Sequence, residues 1–117
     1  MTRTDYTIEE FIDALGRTVV GVEYEEGDSD GYWWGEVDYS DLDTFPFGVV
    51  TIVRNEGGGE GGTENVELVL QVTHPDTTER YFRKYGSYFS HDGFYWDGPV
   101  EEVRAYAKVV TDYAVIK

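Results

Sequence analysis

The chain contains no cysteine, so it can build neither a disulfide framework nor a thiolate metal site, and a disulfide-stapled secreted scaffold is excluded. That composition suits a reducing cytosol. No stretch approaches the roughly 18 apolar residues a membrane span requires, and Met1 to Tyr6 lacks the apolar centre of a signal peptide. A cytoplasmic protein away from membranes is therefore expected. Positive charge is scarce: 9 Lys and Arg stand against 24 Asp and Glu, a net charge of −15. Such a field repels phosphate backbones and anionic bilayers, arguing against direct nucleic-acid binding and for a partner with a basic surface. The same charge would also serve solubility alone.

Aromatic residues, in contrast, are plentiful at 16%. Each buries a large area, so a hydrophobic core is expected despite the polar average, and a disordered acidic tail is not. At 117 residues the chain matches one domain, 1–117. The charge is uneven: residues 1–64 carry 16 acidic and 3 basic groups, residues 65–117 carry 8 and 6.

Thr7 to Gly16 reads as one amphipathic helix, with Thr7 and Glu10 forming a capping box and Gly16 stopping it. Its apolar stripe is Ile8, Phe11, Ile12 and Leu15. From Thr18 to Tyr24 the period changes to that of a strand, and a second strand is predicted from Tyr32 to Tyr39. A loop containing Pro46 precedes a β-branched run from Gly48 to Arg54. The segment 55–64 holds five glycines and is expected to be a flexible hairpin loop, without the lysine and following helix of a phosphate-binding loop. Val66, Leu68, Leu70 and Val72 then alternate as the clearest strand of the chain. A hairpin turning near Gly86 is predicted between Glu79 and Ser90, and one long or two short strands between Val103 and Ile116. The expected fold is α+β and mostly β: a short N-terminal helix packed on a curved antiparallel sheet or small barrel of about six or seven strands.

The stretch from Arg80 to Pro99 follows the pattern Y-F-x-K-x-G-x-Y-x-S-x-D-G-x-x-W-D-G. It resembles a motif in small acidic proteins of unknown function encoded by tailed bacteriophages, especially those of actinobacteria. The resemblance covers about a third of the chain well. It implies phage origin and a host-directed role, and carries over no functional residue.

One acidic run is interrupted by no Lys or Arg: Glu23, Glu25, Glu26, Asp28, Asp30, Glu36, Asp38, Asp41 and Asp43. Interleaved with it are Tyr24, Tyr32, Trp33, Trp34, Tyr39, Phe45 and Phe47. Exposed aromatics among carboxylates can anchor an interface while the charges steer a basic partner. At phosphate-like spacing the same carboxylates would mimic DNA. The leading expectation is a non-enzymatic protein that binds and inhibits or sequesters a host protein, such as a defence or DNA-binding protein. A second is a small-nucleotide sponge, its ligand held by Arg80, Arg83, Lys84, Tyr88 and Trp96. A third is a minor virion or assembly protein.

Catalysis and metal binding find little support. Asp28-Ser29-Asp30-Gly31 lacks the spacing of a calcium loop, so no metal and no cofactor is expected. His74, before Pro75, reads as a solvated turn residue; Ser87, Ser90, His91 and Asp92 are sequence neighbours, which rarely converge as a triad.

Overall fold

The computed structural model describes residues 4–28, 31–56, 64–89, 93–106 and 113–116. The fold is α+β and mostly β, with one main helix and an antiparallel sheet of five strands that does not close.

Helix α1, Ile8–Val20, starts where the capping box requires: the Glu10 N–H donates to Thr7 Oγ1 and the Thr7 N–H to Glu10 Oε1, both at 3.1 Å. It runs past Gly16, against the predicted stop. Gly16 is buried inside the helix because the Tyr24 ring lies where a Cβ would stand. Thr18, expected to open a strand, instead bonds its hydroxyl back to the Ala14 carbonyl at 2.8 Å. The helix stops at Gly21, whose φ of 89° suits glycine.

Tyr32–Tyr39, predicted as a strand, forms a 3₁₀ helix. Its buried residues are Trp33, Trp34 and Val37, a helical spacing, whereas a half-buried strand would bury every second residue. A second 3₁₀ turn, Leu42–Thr44, follows, with Asp41 Oδ1 accepting from the Asp43 N–H at 3.0 Å.

The sheet comprises β1 (Val49–Glu56), β2 (Glu64–Thr73), β3 (Glu79–Phe89), β4 (Gly93–Tyr95) and β5 (Val100–Val103). β1 pairs β2 and β2 pairs β3, while β4 and β5 share the far side of β3, at Ser87 to Phe89 and Tyr81 to Lys84. β3 is one continuous strand, so Gly86 is not a turn. Its Cα sits under β4, where a Cβ would meet the Tyr95 carbonyl and the Trp96 ring. The strand count is five among the described residues, below the six or seven expected. The terminal strand predicted from Val103 to Ile116 is not formed among the described residues: β5 already ends at Val103, and residues 104–106 and 113–116 are not strand. Loop residues 57–63 and the segment 107–112 lie outside the described residues.

The core forms between the sheet's inner face and α1 with the 3₁₀ segments. Val66, Leu68, Leu70 and Val72 are buried on β2, as their alternation predicts. Phe11 of α1 stacks on Phe82 of β3, centroids 3.9 Å apart, and Tyr6 stacks on Phe47 at 4.3 Å. Among the described residues no helix is long and apolar enough to cross a membrane.

Candidate functional site

The segment from Glu23 to Phe47 divides its aromatics between the core and the face that carries its described acids. Tyr24, Trp33, Trp34 and Phe45 are buried; the Trp33–Trp34 pair, expected on the surface as an interface anchor, is core. The two indoles stack at 4.2 Å, Trp33 Nε1 donates to the Asp28 carbonyl at 3.1 Å, and the Tyr24 hydroxyl donates to Asp13 Oδ1 at 2.9 Å. Burial and the Asp13 carboxylate hold the Tyr24 phenol well above its ordinary range. With the indoles turned inward, the 3₁₀ helix shows solvent its other face.

That face carries Tyr32, Glu36, Asp38 and Tyr39, the tyrosines being 81% and 87% exposed. Glu23, Glu25, Asp28, Asp41 and Asp43 are also exposed. Asp30 lies outside the described residues. Of the described acids in the run, Glu26 alone meets a cation, Arg17 at 3.8 Å. Asp38 receives only the Asn55 amide, at 3.4 Å.

Arg80, Arg83 and Lys84, the basic residues of β3, are engaged within the fold. Arg80 holds Glu102 in a two-pronged pair, both bonds 2.8 Å, donates to the Tyr6 carbonyl at 2.7 Å and lies 4.2 Å over the Tyr6 ring. Each partner stabilises the other's charge: Glu102 is held below, and Arg80 above, its ordinary pKa. Arg83 bonds Glu101 at 3.1 Å and nears Glu67 at 3.9 Å.

The predicted nucleotide set is therefore divided. Strand alternation puts Arg80, Lys84 and Tyr88 on the inner face of β3 and Arg83 on the outer face. Lys84 is buried, donating to the Gly98 carbonyl with its ammonium 5.3 Å from the Trp34 ring. Tyr88 packs on Phe94, and Trp96 is buried. The outer face does hold a groove of 410 Å³ with Arg54, Tyr81 and Arg83 in its lining, but Glu67 lies among them and pairs with Arg54 at 2.9 Å.

His74 is also core, not solvated: it is 2% exposed, with Nε2 at 2.8 Å from the Tyr6 hydroxyl and Nδ1 at 2.9 Å from the Thr78 carbonyl. His91 lies outside the described residues. Among the described residues no group of three or more His, Asp or Glu is placed to hold a metal ion.

One feature has only a faint signature in the sequence. A groove of 220 Å³ borders the acidic face, lined by Trp34, Gly35, Asp38, Tyr39, Asn55 and Phe94, with Leu68 and Trp96 beneath. The indole Nε1 of Trp96 has no hydrogen-bond partner there. Gly35 was the available signal, a glycine inside an aromatic run that a packed strand would have no reason to keep. No family model, no curated protein and no solved structure matches the chain.

Proposed function

We propose that the chain works by binding, without catalysis, as a phage-encoded protein that occupies a basic surface of a host protein in the host cytosol and so inhibits or sequesters it. The observation that carries this reading is the exposed face of Glu23 to Asp43. Its described carboxylates, Glu26 apart, meet no Lys or Arg, while Arg80 and Arg83, on β3, are paired with Glu102 and Glu101. Unpaired surface charge of one sign accelerates encounter with an opposite partner and rejects like-charged ones. Tyr32 and Tyr39 add stiff, half-apolar contact area to that face. The nucleotide reading has less support, because a phosphate would have to displace Glu102 or Glu101 from the guanidiniums.

The test is a quadruple charge reversal, Asp28→Lys, Asp30→Lys, Asp38→Lys and Asp41→Lys, in a pull-down from nuclease-treated host lysate at stepped salt. A stoichiometric basic protein held by the parent chain, released by salt and lost by the folded variant is the expected result. Unchanged capture by the variant sinks this surface. Competition of the captured protein by duplex DNA would specify mimicry of a nucleic acid.

A further inference from the structure

The groove beside the acidic face contains a buried donor with nothing to donate to. Trp96 is 7% exposed and its Nε1 meets no acceptor, whereas Trp33 Nε1 is satisfied by the Asp28 carbonyl. A buried N–H left in that state is destabilising, because its hydration is lost and nothing replaces it. The indole edge is turned toward Gly35 of the 3₁₀ helix, where a Cβ would stand 3.3 Å from Nε1. Glycine at 35 thus keeps a side chain off the donor, and both residues line the same groove. Around the donor are the exposed Phe94 ring, the Trp34 indole, and Asp38 and Tyr39 at the rim.

These groups define what fits. The orphan N–H calls for an acceptor, yet carboxylate and phosphate acceptors are repelled by Asp38 and by the net charge of −15. A neutral carbonyl remains. Asp38, bonded only by the distant Asn55 amide, has acceptor positions open to a cation. A planar cation gains further from the aromatic rings beside it. We propose that the groove is an anchor pocket for an arginine-bearing peptide segment of the basic partner. The segment's main-chain carbonyl accepts from Trp96 Nε1, and its guanidinium lies along Phe94 to reach the Asp38 carboxylate. The inference rests on the proposed binding of a basic protein and names how one of its residues is held.

The experiment is a titration of the full ¹⁵N-labelled chain with the blocked peptide acetyl-Gly-Gly-Arg-Gly-Gly-amide, read at the indole N–H resonances. The Trp96 resonance is the one absent from Trp96→Phe. Should that variant not fold, the resonance is assigned through its cross-peaks to Gly35. A saturable shift of the Trp96 resonance is expected, with affinity reduced about tenfold in Gly35→Ala, the equivalent of about 1.4 kcal/mol. A matched peptide with glutamine in place of arginine should bind more weakly. Equal response to the glutamine peptide overturns the role of the cation. A stationary Trp96 resonance with shifts confined to amides near Glu36 to Asp43 overturns the anchor and leaves the acidic-face reading standing. No shift at any resonance counts against both.

Discussion

The Tyr6 hydroxyl and His74 Nε2 meet at 2.8 Å across 68 residues of sequence, tying the segment before α1 to the turn between β2 and β3. The Thr78 carbonyl can only accept, so His74 Nδ1 carries the proton and Nε2 accepts from the phenol. Tyr6→Phe keeps the stacking on Phe47 and removes that bond, leaving a buried nitrogen unpaired. A loss of about 1–2 kcal/mol is expected in urea denaturation. Stability equal to the parent chain would show the bond to be energetically idle.

The same phenol contributes to alkaline stability. Burial pushes the Tyr6 pKa up to about 12 from 10.0, against the pull of the neighbouring Arg80 guanidinium. A group raised in the folded state contributes stability that is complete below the unfolded value and is lost as pH rises through the folded one. The parent chain should therefore lose stability between about pH 10 and pH 12 more steeply than Tyr6→Phe. Denaturation midpoints across that range, with phenolate absorbance alongside, check it.

At the acid end the relevant pair is Arg80 and Glu102. Hydrogen bonding from Arg80 lowers the Glu102 pKa, so its contribution is present above the unfolded carboxylate value and vanishes as pH falls through the folded one. The Glu102 side chain is 42% exposed, which reduces the pair to about 1 kcal/mol after solvent screening. Glu102→Gln should be less stable than the parent by that amount at pH 7. The difference should close below about pH 4. A gap that persists at pH 3 would assign the loss to packing.

Gly86→Ala tests the junction of β3 and β4. The added methyl would meet the Tyr95 carbonyl, the Trp96 ring and Val66. Overpacking of this kind costs about 2–3 kcal/mol, and the amides of β4 should lose hydrogen-exchange protection before those of β2. Uniform loss across the sheet would show that β4 is not the element displaced.

Salt provides a fifth test. A net charge of −15, with most of the described acids of residues 23–43 unpaired, sets self-repulsion against a few ion pairs. Raising ionic strength from about 0.1 M to 1 M shortens the screening length from about 10 Å to about 3 Å. Repulsion should be the larger effect, so the melting temperature should rise, by about 5 °C for each kcal/mol of repulsion relieved. A fall would mean that the attractive pairs dominate.

Where one local rule decided the structure, the residues already displayed it. Thr7 and Glu10 announced the start of α1, and the alternation of Val66 to Val72 announced β2 and its buried face. Tyr32–Tyr39 misled because its aromatic composition favours strands, while its burial follows Trp33, Trp34 and Val37 at helical spacing. Gly16 and Gly86 look like stops in sequence. Each is small because a ring or carbonyl from elsewhere, Tyr24 or Tyr95, occupies the space of its side chain. The acidic character of the candidate site was legible, since charged side chains seldom bury. Which aromatics stayed outside with the acids was not, because that depends on tertiary contacts such as Trp33 to Asp28.

β1 borders the sheet, pairing among the described residues with β2 alone. Such a border is a template for another chain's strand, and this one is blunted in two ways. The register slips between Ile52 and Arg54, interrupting the regular row of backbone groups around Val53, and Arg54, Asn55 and Glu56 follow in exposed positions. A concentrated sample should therefore keep its scattering mass as concentration rises, and deleting Val53, which removes one of the two protections, should make that mass climb with concentration.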